Sequence, residues 1–182
     1  MKLGLYGGTF DPIHIGHIHV ITELLSRNVV DHLLVVPAGQ PRLRANDPHA
    51  SGSDRRAMCQ LAINELSPEI RSKVEVNPIE ILRMGPSYTI DTVEAVKQAY
   101  PDDEIVLIVG TDAFAKIDQW HRIDDLRTLV RFEVIERPGY AGEGSRDIDA
   151  IDVSATQVRS RTSDLISPAV SQYIKEHNLY VS

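Results

Sequence analysis

Five consecutive aliphatic residues, Ile105-Val106-Leu107-Ile108-Val109, form the longest such run in the chain. A strand that is apolar at every position has no face to offer water, so it belongs inside a parallel sheet covered by helices on both sides. The flanking pattern agrees, because apolar runs and helical periodicities alternate along the chain. Residues 3–6 read as a strand stopped by Gly7-Gly8, and a helix follows with Ile18, Ile21, Leu24 and Leu25 on one face. Residues 32–36 are a second strand, ended by Pro37. Ser53 reads as the N-cap of a helix carrying Met58, Leu61, Ala62 and Leu66. Val74–Val76 and Ile79–Leu82 read as extended, with Pro78 between them restricting the pair to an edge strand or loop. From Thr89 the positions Val93, Val96 and Tyr100 mark a helix that Pro101 ends. Gly110 opens a helical segment toward Trp120, Ile123–Leu129 is a further helix, and residues 132–135 are a further strand. The tail reads as a strand over 148–153, a helix started by Ser154, a break over 163–168 and a last helix over 169–177. Residues 38–52 form a long aperiodic loop of the kind that is functional or disordered, and 139–147, with three glycines, a mobile surface loop. Five or six strands alternating with helices give an open, mostly parallel α/β sheet, with ligands expected at the carboxyl ends of its strands.

Composition limits the partners. At 182 residues the expectation is one domain spanning 1–182. With 26 acidic against 19 basic side chains, a net charge of −7, there is no general attraction for a nucleic acid. No apolar run approaches the ~20 residues needed to span a bilayer, and the lone Cys59 excludes an internal disulfide, so a cytoplasmic setting is expected.

Residues 7–17 read Gly-Gly-Thr-Phe-Asp-Pro-Ile-His-Ile-Gly-His at a strand-to-helix junction. Glycines let a backbone pass close to a ligand, and the free N–H groups opening a helix favour anions such as phosphate. His14 and His17 are three apart and face the same space from the first helical turn. Neither a GxGxxG fingerprint nor a Walker lysine is present, which argues against hydride transfer and against a P-loop. The bland alternative is a simple turn with two packing histidines; their pairing behind a glycine turn favours the ligand. With His19 nearby zinc is another option, but no cysteine or acidic residue completes a ligand set at close spacing. Residues 153–159, Val-Ser-Ala-Thr-Gln-Val-Arg, form a second such junction. There Ser154, Thr156 and free N–H groups face an anion, with Arg159 one turn further as a fork. Taken alone, that segment is an ordinary N-cap and a surface arginine.

Together the two segments resemble the paired signatures of the HIGH-motif nucleotidyltransferases, the second usually I-S-[SA]-T-x-[IV]-R. Residues 86–92, Pro-Ser-Tyr-Thr-Ile-Asp-Thr, and 109–114, Val-Gly-Thr-Asp-Ala-Phe, followed by Trp120, are similar to the nicotinate-nucleotide adenylyltransferases. So are Pro37-Ala38-Gly39-Gln40-Pro41 and Arg137-Pro138-Gly139, and the match runs over nearly the whole chain. Pantetheine-phosphate adenylyltransferases share the first motif and lack the middle segments. The resemblance implies a Rossmann-like fold of nucleotidyltransferase type, and transfer of the adenylyl group of ATP to nicotinate mononucleotide with release of pyrophosphate, in NAD biosynthesis. It implies His14, His17 and Arg159 as catalytic phosphate-binding groups, and Gly7, Gly8, Thr9, Phe10, Gly110, Asp112, Ser154 and Thr156 at ATP. Thr89, Asp112 and Trp120 fall to the acceptor, with the indole on the pyridine ring and the 87–92 segment at its carboxylate. From the residues alone, Trp120 reads equally as core and Thr89 as a helix cap.

Where that family carries a His-Lys pair after Pro-Ala-Gly-Gln-Pro, this chain has Arg42-Leu43-Arg44, which makes Arg44 the candidate basic contact to the triphosphate. The segment after Arg159 is shorter than the family's basic, glycine-containing stretch. Mg²⁺ is expected to accompany ATP without a metal site in the protein, and Asp11 is either a turn former before Pro12 or an aid in placing that ion. The expected partners are ATP and nicotinate mononucleotide, with no nucleic acid and no membrane; homo-oligomerisation stays open. Two competitors remain. His14-Ile15-Gly16-His17 also spells the motif of class I aminoacyl-tRNA synthetases, although no KMSKS-like segment accompanies it. A nucleotide-sensing module that binds ATP without turnover is the alternative outside enzymology.

Overall fold

The structure is a computed structural model that describes residues 1–39, 47–139, 142, 144–160 and 163–181. The expected contact Arg44 and part of the loop over 38–52 lie outside the described residues, as does part of 139–147.

Strand β1 (Lys2–Gly8) leads through a turn into helix α1 (Ile15–Ser26), and β2 (His32–Pro37) follows. Helices α2 (Gly52–Asn64) and α3 (Pro68–Arg71) precede β3 (Val74–Val76), and α4 (Ile79–Leu82) and α5 (Thr89–Ala99) precede β4 (Glu104–Gly110). After β4 come α6 (Thr111–Phe114), a 3₁₀ turn Ile117–Gln119, α7 (Ile123–Leu129) and β5 (Arg131–Ile135). The tail carries α8 (Ala155–Arg159), a 3₁₀ turn Ser163–Leu165 and α9 (Pro168–Glu176). The five strands are all parallel and ordered β3-β2-β1-β4-β5. This is the expected open α/β sheet with helices on both faces.

Alternation along the central strands divides the interior into two cores. Leu33 and Val35 of β2 and Val106 and Ile108 of β4 join Ile21, Leu24, Met58, Ala62 and Val170 beneath α1, α2 and α9. Leu34, Val36, Ile105, Leu107 and Val109 join Ile90, Val93, Val96 and Leu126 beneath α5 and α7. Both faces of each strand are thus dry, which is why β4 reads as an unbroken aliphatic run.

Several local readings are corrected. Ile79–Leu82 is a helical turn and not a strand, because Pro78 begins it: the Leu82 N–H donates to the Pro78 carbonyl at 3.0 Å, and Asn77 Oδ1 accepts from Ile79 N at 3.1 Å. Residues 148–153 are irregular, since chain pairing beside β5 stops at the single bridge between Ile135 and Arg146. Ile148 is fully buried there while Ile151 is exposed, a pattern that mimics a strand without one. The N-cap of α2 is Ser51, whose Oγ accepts from Asp54 N at 3.1 Å, not Ser53. Likewise Tyr88, not Thr89, caps α5, and the segment from Gly110 to Trp120 breaks into two short turns.

Among the described residues no helix is long and apolar enough to cross a membrane. The two-core arrangement predicts that Ile21→Ala, at a site with no solvent exposure, lowers the unfolding free energy by about 2–5 kcal/mol. Leu82→Ala, at a side chain 72% exposed, should change it by less than about 0.5 kcal/mol; urea titration of both variants is the check.

Candidate active site

Strand order reverses between β1 and β4, and a cleft of about 840 Å³ opens at their carboxyl ends. That is where an open parallel sheet binds ligands, because the diverging loops leave a crevice there. Its walls come from residues 7–11, His14 and His17, from Gly110 and Asp112 after β4, from Tyr88, Thr89 and Trp120, and from Arg137 and residues 151–155.

The turn after β1 sets the geometry. Phe10 sits at φ 49°, in the left-handed region, and buries its ring. A Cβ on Gly8 would meet that ring at 2.8 Å, so only glycine fits there. The two motifs also touch: a Cβ on Gly16 would meet Val153 Cγ1 at 2.7 Å, so the glycine between the histidines admits the second junction against the first turn of α1.

His14 is the N-cap residue of α1 and His17 its third residue; their rings stack with centroids 3.7 Å apart. The His14 backbone N–H donates to His17 Nδ1 at 3.2 Å. Because Nδ1 accepts, the neutral His17 ring carries its proton on Nε2, which makes that nitrogen a donor. His14 is 4% exposed, and its Nδ1 is buried with no hydrogen-bond partner. Burial, assisted by the positive charge of Arg137, pushes its pKa down to about 4. His14 is therefore a neutral ring near pH 7 and not a fixed positive charge, while His17 offers its Nε2 as a donor.

The remaining expected residues divide. Gly7, Gly8, Thr9, Phe10, Gly110, Asp112, Thr89, Trp120 and Ser154 line the cleft with the two histidines; Thr156 and Arg159 do not. Arg159 Nη1 donates to the Asp11 carbonyl at 2.7 Å and Nη2 to Thr156 Oγ1 at 3.2 Å. Asp11 itself is buried, its carboxylate taken by backbone and phenol donors, and His19 bonds the Ile148 carbonyl at 2.7 Å. Ser154 caps α8, accepting from Gln157 N at 3.3 Å.

Three participants escaped the sequence reading. Arg137, at the turn after β5, is the one Arg or Lys among the described cleft residues, and its Nε lies 3.7 Å from Asp112 Oδ1. Its signal was the Arg-Pro-Gly turn, which was read as family likeness and not as a cation. His121 packs its ring 4.4 Å from that of Tyr88, joining the two walls that carry Trp120 and Thr89. Arg55 is 2% exposed and donates to the Thr9 carbonyl at 2.8 Å and the Ala50 carbonyl at 3.2 Å, bracing the glycine turn from below. Nothing in the sequence marks an arginine within a helix as buried.

Comparison with known proteins places the chain in a family. The profile of the cytidylyltransferase-like family matches residues 5–161. A probable nicotinate-nucleotide adenylyltransferase of Bacillus pumilus is 38% identical over 192 residues, covering 100% of this chain and 99% of that protein. The nicotinate-nucleotide adenylyltransferase of Bacillus subtilis is 34% identical, again over 100% and 99% of the two chains. In structure, the Plasmodium falciparum nicotinic acid mononucleotide adenylyltransferase complexed with NaAD superposes with a TM-score of 0.82 at 23% identity, over 98% of this chain and 97% of the other.

The depressed pKa of His14 has a consequence for stability. With about 4 in the folded state and about 6.5 when unfolded, the unfolded chain takes up the proton first as pH falls. His14 therefore contributes stability that is present above about pH 6.5 and lost toward pH 4, on the order of 3 kcal/mol at full extent. In urea titrations between about pH 7 and about 4.5, His14→Gln should lose less unfolding free energy than the native sequence; parallel pH profiles would overturn the assignment.

Proposed function

The chain belongs to the nicotinate-nucleotide adenylyltransferases, within the cytidylyltransferase-like family, and from that membership we propose how its cleft transfers the adenylyl group of ATP to nicotinate mononucleotide. The observation that carries the mechanism is the stacked histidine pair beside the glycine turn, His14 kept neutral by burial, with Arg137 a nearby cation.

The acceptor's 5′-phosphate is the nucleophile. Its second pKa is near ~6, so it is largely dianionic at neutral pH and needs no protein base. It attacks the α-phosphorus of ATP, a new P–O bond forms, and the α–β bridging bond breaks to release pyrophosphate and nicotinate adenine dinucleotide. The protein's task is to hold two anions in line and to meet the charge that develops on the transferring and leaving oxygens. We assign that to the N–H donors of His14 and His17, the backbone of Gly7, Gly8, Thr9 and Phe10, and the junction at Ser154 and Thr156, with Arg159 as a clamp. Asp112 takes a ribose hydroxyl.

Among the described residues Asp11, Glu80, Asp112 and Asp152 line the cleft against the single Arg137. Burial raises the pKa of Glu80, against hydrogen bonds from Thr92 and Gly39. No three of His, Cys, Asp and Glu converge to hold a cation among the described residues. Asp11 is already saturated and Glu80 accepts from Thr92 Oγ1 at 2.9 Å. These residues do not make a metal cage, so we read Mg²⁺ as part of the substrate, entering on the ATP phosphates. We take residues 1–182 as one nucleotidyltransferase unit acting in the cytoplasm on two nucleotides, without nucleic acid or membrane.

His17→Ala removes one preorganised donor, so kcat should fall by roughly 10²–10³, or about 3–4 kcal/mol, with little change in Tm. Near-native turnover would remove His17 from the mechanism.

Acceptor choice follows from the opposite wall. Thr89 is the first residue of α5 and its neighbour Tyr88 the N-cap, so free N–H groups and the positive end of the helix dipole face the cleft there. A carboxylate suits such donors better than a neutral amide, which places its own NH₂ among them. Trp120 stacks on either ring alike. The expected outcome is a higher kcat/KM for nicotinate than for nicotinamide mononucleotide, with Trp120→Ala lowering both by similar factors. Parallel steady-state assays of pyrophosphate release decide it, and an equal or reversed preference would sink the role of Thr89.

A further inference from the structure

Asp11 draws together three segments that are remote in sequence. Its side chain has no solvent exposure. Oδ2 accepts from the His49 backbone N–H at 2.8 Å, and Oδ1 accepts from Ala50 N at 3.0 Å and from the Tyr180 hydroxyl at 2.8 Å. The His49 ring reaches the same carboxylate, Nδ1 to Oδ2, at 3.4 Å. Burial pushes the Asp11 pKa up, but these hydrogen bonds and the Arg159 charge outweigh it and leave the carboxyl below its usual range.

Arg159 stands beside this cluster in an unusual way. Its guanidinium lies 3.9 Å from Asp11 Oδ2, yet the hydrogen bond it makes there, at 2.7 Å, goes to the Asp11 backbone carbonyl. A guanidinium next to a buried carboxylate ordinarily forms a charge-assisted, often bidentate pair. Here two amides and a phenol already occupy the carboxylate, so the arginine rests on a neutral acceptor instead. Tyr180 is placed for this at a conformational cost: it sits at φ 58°, in the left-handed region that a bulky side chain rarely adopts, after Asn178 at φ 50°. Phe10, on the other side of the contact, is left-handed too.

We propose that Asp11 and Tyr180 are a positioning unit for Arg159: the Tyr180 hydroxyl saturates the Asp11 carboxylate, so that Arg159 is retained beside the cleft on a weak acceptor and stays free to turn to the phosphates of ATP. This rests on the reading of Arg159 as a phosphate clamp. Without the hydroxyl, Asp11 Oδ1 loses a donor and draws the guanidinium into a direct ion pair, withdrawing it from the nucleotide. The last residues of the chain thereby act on chemistry at the far end of the sequence.

The test is a double-mutant cycle on the full chain with Tyr180→Phe, which keeps the ring, and Arg159→Ala. In the native background Tyr180→Phe should lower kcat/KM for ATP about tenfold while leaving KM for nicotinate mononucleotide within twofold; in the Arg159→Ala background it should change kcat/KM for ATP by less than about twofold. A merely structural hydroxyl predicts the same factor in both backgrounds, and that result, or an unchanged Tyr180→Phe enzyme, overturns the proposal. Thermal unfolding of all four proteins shows that the rates refer to folded enzyme. If the native protein released no pyrophosphate from ATP and nicotinate mononucleotide, the adenylyl-transfer reading alone would fall. The same four proteins would then be titrated with ATP by calorimetry: a loss of affinity that requires Arg159 supports the positioning unit, and any other pattern overturns it.

Discussion

The backbone of the turn after β1 has to find hydrogen-bond partners that no strand or helix supplies. β1 lies at the middle of the sheet, paired on both sides, and its exit must clear the space above the strands where a ligand enters. Buried carbonyl and amide groups left unpaired are too costly to persist, so side chains from elsewhere meet them. Arg55 takes the Thr9 carbonyl from below, and Asp11 takes the amides of the segment that precedes α2. One buried cation and one buried carboxylate thus fix the turn, and the positions of His14 and His17 follow from it.

This division explains what could be read in the sequence. The strands were legible wherever both faces are dry, as in β2 and β4, because unbroken apolar runs have few other meanings. The histidine pair and the glycine turn were legible because their spacing is local. Ile79–Leu82 failed because four apolar residues fit a strand or a single helical turn, and the deciding contact is a backbone bond back to Pro78. Residues 148–153 failed because burial alternates there without a neighbouring strand to pair with. Arg55, Arg137 and the partners of Asp11 were hidden for a different reason. Their roles depend on contacts to positions between 5 and 169 residues away, a distance at which no period or motif reports.

The electrostatics of the cleft favour a transient ligand charge over a permanent one. A polyphosphate could be met by a cluster of lysines, but such a cluster binds the ground state and the transition state alike and slows the release of pyrophosphate. The described walls instead carry one arginine, four carboxylates and histidines, of which His14 is kept neutral by burial. The orientation of the two rings is fixed in advance by their stacking and by the bond from His14 N to His17 Nδ1, the preorganisation that donors aimed at developing charge require. The described carboxylates leave little uncompensated positive charge on these walls. On this view the acidic lining of the described walls and the burial that keeps His14 neutral belong to one arrangement, in which positive charge is sparse and donors are fixed in place.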